Sequence, residues 1–534
     1  MNFDRFSLIY PENVADEERY SEAYRPDIDM FTLEEMGLLE CLNLKSGDLS
    51  DFLTMNPDVI RYRIETFKDM IENEALAKML VSLIPVLTDI IELRRLEADD
   101  GDTNSYLSSI TEIELYISSV NVLYNGLKEV RTSLKSPAFI ALADHVFELA
   151  ESDYYRQLNE KLEELVRRVR EIKSVTIGVN LNSQLRPEEA GVLSINSEPF
   201  RSGDVLEKIL RMDFKDNEYT CIASLVPFGK KQSENQKTAL SLAFNSAINE
   251  VYKSSLRSWK KIVQMYVLEN TDFLIGLMPE FEFLVKATRF QKKLADLGCV
   301  LSSPEILPAS ERAFSAKGLY NPCVAIKIDG DVVDNDLSFD EQARIYVLSG
   351  PNRGGKSVIT CAVGLTQVMF QLGMYLPAKE ISISPVDAIF THFPTGADDT
   401  IDKGRLGEEC ARLGEIFERI SKYSLVLLDE SLSSTGSYEA SYIAAEVLAG
   451  LSKSGCRAIF STHLHELGER IEEINALTAP DGGKIDTLVA GIESGKRSFK
   501  ITRAKPDGKS YARDIAEKYG LTYGEIIKKI ETKS

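Results

Sequence analysis

Gly350-Pro351-Asn352-Arg353-Gly354-Gly355-Lys356-Ser357 (GPNRGGKS) is the stretch on which the reading of this chain turns. It has the spacing GxxxxGK[ST], follows an apolar run at 344–349 and opens a segment of helical periodicity at 356–373. Glycines there let backbone N–H groups approach and encircle phosphate oxygens, and the helix start adds the positive end of its dipole. A lysine in the place of Lys356 reaches β and γ phosphates, and a hydroxyl in the place of Ser357 coordinates Mg²⁺. The candidate nucleotide-binding residues are therefore Gly350, Pro351, Asn352, Arg353, Gly354, Gly355, Lys356, Ser357 and Val358.

Downstream, residues 425–430 read Leu-Val-Leu-Leu-Asp-Glu, an apolar run ending in two acids. That is the pattern of a buried parallel strand delivering carboxylates at its C-terminal edge. Asp429 is placed to hold the magnesium shell, and Glu430 to orient or deprotonate the water that attacks the γ-phosphate. A third run, 457–461, ends in Thr462-His463-Leu464-His465-Glu466, which sets His463 beside the γ-phosphate as a sensor. The catalytic set is thus Lys356, Glu430 and His463, the metal ligands are Ser357 and Asp429, and the cofactors are ATP and Mg²⁺. An HxH pair with one acid lacks the spacing of a zinc site.

Strand and helix signals alternate from about residue 304: strands at 323–328, 345–348, 425–428 and 458–461, helices at 356–373 and 438–452. They predict an α/β domain with a largely parallel sheet. Residues 357–378 carry no charge and are long enough on length alone to span a membrane. Gln367, Gln371, Gly364, Gly373 and Pro377 within the stretch, and the phosphate-loop lysine at its start, predict a buried helix instead, with no membrane partner. Further upstream, apolar residues recur at helical spacing over 58–96 and 105–173, with Ser136-Pro137 interrupting the second stretch without clearly ending it. Short β-branched runs at 174–180 and 191–195 mark a small insertion over 174–233, after which helical periodicity returns.

A net charge of −21 argues against holding nucleic acid by bulk electrostatics, so any such contact must be local. Residues 331–534 carry 24 basic against 30 acidic side chains, which leaves most of the acidity in the N-terminal part. The basic clusters that could meet DNA are Arg167, Arg168 and Arg170, beside the β insertion, and Lys260 and Lys261, beside Trp259; a solvated helix face is the ordinary use of such charges. Seven singly spaced cysteines with no CxxC read as reduced thiols in a cytoplasmic protein, and residues 1–10, with Asp4 and Arg5, lack the apolar run of a signal peptide.

The three strand-end motifs together resemble the ATPase domain of the MutS family of DNA mismatch repair proteins. GPNRGGKSV at 350–358 is similar to that family's GPNMGGKST, and the likeness extends to Asn321-Pro322, to 333–336 (VDND), to 375–378 (YLPA), to LVLLDES and STHLHEL, and to Lys509-Ser510-Tyr511-Ala512. Residues 51–63 look like the start of the family's helical core. The resemblance implies a multidomain chain: helical core and lever at 1–173, a β-containing clamp-like insertion at 174–233, returning lever helices at 234–303, and an α/β P-loop ATPase domain of ABC type at 304–534. It further implies a homodimer with its nucleotide sites at the subunit interface, coupled to double-stranded or branched DNA.

Two departures qualify that picture. The family's mismatch reader carries Phe-x-Glu, and Phe339-Asp340-Glu341, immediately before the phosphate loop, cannot be that reader; the reading domain is expected to be absent. Where the family has GRSTFMVE, reaching across to the partner's γ-phosphate, 402–412 reads DKGRLGEECAR without Ser or Thr. Arg405 could replace the hydroxyl as a charge-assisted donor, or be a solvated charge at a helix start. The expected function is an ATP-hydrolysing, DNA-binding protein of repair or recombination. The alternatives are an ATP-driven ribosome- or RNA-associated factor and a nucleotide-gated scaffold with little turnover.

Overall fold

Strands that are apolar at every position, rather than at alternate ones, are covered on both faces. In the computed structural model four strands that are mostly apolar and buried at every position lie side by side. The structure describes all residues except 1–5, 15–24, 29, 43–48, 100–104, 172, 182, 184–186, 197, 200–265, 267, 352, 394–403, 433–435, 465, 494–495, 506–518 and 532–534.

In chain order the first half holds β1 (Asp27–Ile28), α1 (Met30–Glu35), α2 (Leu38–Leu42), α3 (Pro57–Glu72), α4 (Glu74–Asp99), α5 (Ser105–Val130), α6 (Pro137–Glu151), α7 (Asp153–Glu171), β2 (Ser174–Leu181), β3 (Pro187–Asn196), α8 (Leu268–Gly276) and α9 (Met278–Asp296). The second half holds β4 (Glu305–Ile306), β5 (Phe314–Leu319), α10 (Pro322–Lys327), β6 (Asn335–Phe339), β7 (Ile345–Ser349), α11 (Lys356–Gln371), β8 (Glu380–Ile383) and β9 (Ala388–His392). It continues with α12 (Gly404–Arg419), β10 (Leu425–Asp429), α13 (Ser437–Ser454), β11 (Arg457–Ser461), α14 (Glu466–Thr478), β12 (Ile485–Glu493), β13 (Lys496–Arg503) and α15 (Tyr523–Glu531).

The chain forms two compact units, one of Met1–Ala77, Leu134–Phe139 and Pro279–Ser534, the other of Lys78–Ser133 and Ile140–Met278. In the first, a seven-stranded sheet has the order β1-β9-β10-β11-β7-β12-β13, parallel except for the β12–β13 hairpin. One face carries Val426, Leu428, Val347 and Phe460 against Leu413 and Ile416 of α12, Ala444 and Leu448 of α13 and Leu467 and Ile471 of α14. On the other face α11 approaches β10 closely: a Cβ on Gly364 would lie 2.7 Å from Leu427 Cδ1. A four-stranded sheet, β4-β8-β5-β6, flanks this core.

The uncharged stretch that begins in α11 is a buried helix, as its glutamines predict. Gln371 Nε2 donates to the Thr54 and Val386 carbonyls at 3.2 and 3.0 Å, and Gln367 Nε2 to the Ser384 carbonyl at 3.1 Å. No helix among the described residues is long and apolar enough to cross a membrane.

Three local readings change. Of residues 323–328, predicted as a strand, 323–327 belong to helix α10 and Ile328 caps its end: Pro322 occupies the first turn and Asn321 Oδ1 accepts the Val324 N–H at 3.0 Å, so the cap outweighs the β-branched residues. The helical stretch from 105 does end before Ser136-Pro137, since α6 restarts at Pro137, with the Ser136 hydroxyl accepting the Phe139 N–H. Finally, Met1–Ala77 groups with the α/β residues, whereas the sequence division runs the helical segment through 173. The cause is long-range pairing: β1 extends the sheet at β9, Thr32 bonds Thr391 at 3.0 Å, and Gln371 of α11 donates from Nε2 to the Thr54 carbonyl at 3.2 Å.

The second unit is helical around the β2–β3 hairpin, whose strands fall where the β-branched runs predict them. Gly126 of α5 admits Met79 of α4 so closely that a Cβ would lie 2.5 Å from its side chain. Arg94 clasps Glu112 and Asp272, both at 2.6 Å. The side chains of Arg167, Arg168 and Arg170 at the end of α7, and residues 200–265 with Lys260 and Lys261, lie outside the described residues.

Candidate nucleotide site

Parallel pairing brings the C-terminal ends of β10, β11 and β7 to one sheet edge in that order, and each end carries part of the predicted site. From β7 the chain enters the phosphate loop. Gly350 has φ +140°, and a Cβ there would meet Ala490 Cβ at 2.7 Å. Gly355, the residue before α11, has φ +95°, and a Cβ on Gly354 would meet the Pro351 carbonyl oxygen at 2.8 Å. All three glycines are therefore demanded by the loop. Asn352 lies outside the described residues, and Val358 and Ser357 are exposed at the helix start.

Lys356 is buried, with Nζ donating to the carbonyls of Gly350 at 3.2 Å and Pro351 at 3.3 Å, and standing 3.4 Å from His463 Nε2. Burial lowers its pKa, and the Glu430 and Asp429 carboxylates pull it part of the way back. The ammonium thus rests on loop carbonyls that a phosphate group would outcompete.

Asp429, the last residue of β10, is buried, and burial pushes its carboxyl up against the opposing Ser357 and Ser461 hydroxyls. Its Oδ1 is buried and makes no hydrogen bond among the described residues. An orphaned carboxylate oxygen near a hydroxyl is a hard-oxygen donor set that fits Mg²⁺ completed by phosphates and water. Glu430, half-exposed, has φ +49°, a left-handed value that a Cβ-bearing residue adopts only when held. Its N–H donates to the Ser461 carbonyl at 2.9 Å, and its Oε1 lies 2.8 Å from His463 Nε2. When Nε2 carries the proton, His463 donates to that carboxylate and leaves its second oxygen open.

The structure places Lys356, Ser357, Asp429, Glu430 and His463 close together. The side chain of Arg405, in the first turn of α12, lies outside the described residues. Sequence reading quoted Asn321 without a role and missed Phe499. Asn321 braces the phosphate-loop helix, its Nδ2 donating to the Val358 carbonyl at 3.1 Å. Phe499 of β13, half-exposed at φ +57°, lies where a Cβ on Gly355 would meet its Cδ1 at 3.6 Å, and offers a flat apolar surface beside the loop. A positive φ on a phenylalanine leaves no trace in sequence. Asn335, within the VDND stretch, does have a signal: its side chain holds β13 through the Ile501 N–H at 2.7 Å and the Phe499 carbonyl at 3.3 Å.

The fold and the site define a class: an α/β domain in which a glycine-rich loop, two acidic strand-end residues and a histidine meet on one edge of a parallel sheet. Comparison with known proteins places it more closely. Residues 346–521 match MutS domain V, and residues 55–297 match the MutS2 N-terminal domain. Among similar proteins is the DNA mismatch repair protein MutS of Lactobacillus delbrueckii subsp. bulgaricus, 31% identical over 217 residues that cover 40% of this chain and 24% of that protein. MutS of Sorangium cellulosum is 34% identical over 205 residues, covering 37% and 21%. The DNA mismatch repair protein Msh6 of Gallus gallus is 35% identical over 164 residues, covering 29% and 12%. The matches span about a quarter or less of these relatives' lengths. The chain belongs to the MutS family.

Proposed function

We propose that this protein is an ATPase that couples nucleotide binding and hydrolysis to the handling of DNA, acting as a homodimer in the cytoplasm. The observation that carries the reading is the convergence of the buried Lys356, the orphaned Asp429 carboxylate and the His463–Glu430 pair on one sheet edge. Loop N–H groups and the start of α11 attract the phosphates, and Lys356 exchanges the Gly350 and Pro351 carbonyls for phosphate oxygens. That exchange returns a counter-charge to a buried ammonium.

Ser357 and Asp429 would hold Mg²⁺, which supplies charge neutralisation across the β and γ phosphates. Glu430, oriented by His463, holds the attacking water through its free oxygen and accepts its proton as the γ-phosphoryl group leaves ADP. Phe499 fits a role as a flat support for the nucleotide beside Gly355. Arg405 would serve the partner's γ-phosphate. Residues 174–233 would form the clamp, and residues 1–173 and 234–303, of which Met1–Ala77 groups with the α/β unit, would supply the helices that join it to the ATPase region at 304–534. DNA mismatch repair is the role that the relatives' names carry, and it favours DNA over RNA as the partner.

ATP turnover of wild type and Glu430→Gln tests the enzymatic reading: wild type hydrolyses, and the variant binds ATP but turns over at least a hundredfold more slowly. Equal, near-zero rates in both would make the protein a nucleotide-gated scaffold. Fluorescence anisotropy on perfect, mismatched and four-way-junction DNA and on RNA, with and without ATP, tests the partner; RNA binding without DNA binding would overturn it.

A further inference from the structure

His392 and Ser431 lie behind the catalytic carboxylate, and the proposed hydrolysis step uses neither. His392 closes β9 opposite Leu428 of β10 and is 3% exposed. Its Nδ1 shares a 2.7 Å hydrogen bond with the hydroxyl of Ser431, the residue immediately after Glu430. The same hydroxyl donates to the His392 carbonyl at 3.3 Å when its proton points that way.

The turn that this pair anchors is held in an unfavourable shape. Glu430 at φ +49° and Leu432 at φ +64° are both left-handed, although each carries a Cβ. Three attachments keep it so: the Glu430 N–H on the Ser461 carbonyl, the Leu432 side chain in the core, and the Ser431 hydroxyl on His392. The first ties the turn to β11. The third is the side-chain bond that ties it to β9, so the direction of the Glu430 carboxylate depends on both neighbouring strands.

The imidazole also faces α12. Leu413 and Ile416 of that helix share a core with Phe390, Leu428 and Leu432, and Arg412 and the Glu409 carbonyl are the charged and polar neighbours of the ring. His392 Nε2 and Glu409 Oε2 are both buried without a hydrogen-bond partner among the described residues. Burial, reinforced by Arg412, pushes the imidazole down to about 4, so it is a neutral partner across the physiological range.

We infer that His392 is a positioning residue: it sets the direction of the Glu430 carboxylate through Ser431. The inference rests on the ATPase reading.

The test uses the full chain and four variants: His392→Leu, His392→Asn, whose amide reaches the Nδ1 position, Ser431→Ala, and the double variant His392→Leu with Ser431→Ala. For each, Mg-ATP turnover is measured beside the affinity for a fluorescent ATP analogue. The expected result is a kcat at least tenfold lower for His392→Leu and Ser431→Ala, nucleotide affinity within twofold of wild type, recovery of most of the rate in His392→Asn, and a double variant no slower than the slower single one. Wild-type kcat in His392→Leu, equal loss in the Asn and Leu variants, multiplying losses in the double variant, or an affinity that falls in step with kcat would each overturn it. Should His392→Leu fail to fold, Ser431→Ala decides alone: the inference stands on a tenfold loss of kcat at unchanged affinity and falls otherwise. Wild-type turnover that is lost in Glu430→Gln keeps the ATPase reading whatever the His392 variants do, whereas a wild type that binds ATP without turnover removes both.

Discussion

Gly350→Ala is the sharpest probe of the phosphate loop, because two separate penalties fall on one added methyl group. At φ +140° the backbone lies where residues with a Cβ are strained by about 1–3 kcal/mol. The new Cβ would also stand 2.7 Å from Ala490 Cβ and 3.1 Å from Ala490 N, in a strand paired to β7, and overpacking of that kind costs about 1–3 kcal/mol. β7 is locked to β12 and to β11 by ladder pairing, whereas the loop lies beyond the ladder, so the loop moves. The strain then appears as lost nucleotide affinity, and about 3 kcal/mol corresponds to a Kd raised roughly a hundredfold. Gly414→Ala is the control: nothing lies within 4 Å of its Cβ on α12, so the change adds about 0.5–1 kcal/mol of helix stability and leaves the loop alone. Titration with a fluorescent ATP analogue, beside thermal unfolding of both variants, reads the two effects. A Gly350→Ala protein that binds Mg-ATP as tightly as wild type would refute the reasoning.

Three further outcomes follow from the same geometry. Lys356→Ala abolishes ATP binding in the same titration, and an unchanged affinity would show the phosphate-loop assignment to be wrong. Burial raises the Asp429 carboxyl, so its contribution to stability is complete below the ordinary value of 3.8 and is lost as pH rises through the raised one. Asp429→Asn should therefore raise the Tm of the nucleotide-free protein near pH 7, with the gain shrinking toward pH 4, while Mg-ATP stabilises wild type and not the variant. His392 has the opposite sign: held near 4 against an ordinary 6.5, the neutral ring stabilises the fold above pH 6.5, and on the order of 3 kcal/mol is lost as pH falls through 4. Denaturant titrations of His392→Asn across that window should show a shallower fall than wild type; parallel curves would mean that the ring is not held neutral.

How much was legible depended on how local the signal was. GPNRGGKS, LVLLDE and STH are short, contiguous and chemically unusual, and the strands that carry them are mostly apolar, so the parallel sheet and the five residues at its edge could be read directly. The buried α11 was equally legible, because a long uncharged helix containing Gln367 and Gln371 needs partners inside the protein. The β2–β3 hairpin announced itself by its β-branched runs. Residues 323–328 show the limit, since Val324 and Ile326 suggest a strand and only the cap geometry of Asn321 and Pro322 makes them a helix.

Tertiary structure alone decided what depends on residues far apart in the chain. The grouping of Met1–Ala77 with the α/β unit follows from β1 joining β9 and from Gln371 reaching Thr54, pairings that leave no periodic mark. Phe499 beside Gly355 and His392 behind Glu430 are separated from those partners by 144 and 38 positions, and each is an unremarkable strand residue by composition. The sequence by itself determined the chemistry on offer: phosphate-binding amides, an ammonium, two carboxylates and an imidazole. The fold determined their protonation, their strain and their aim, because burial, left-handed backbone and hydrogen bonds between neighbouring strands exist only after the sheet has closed.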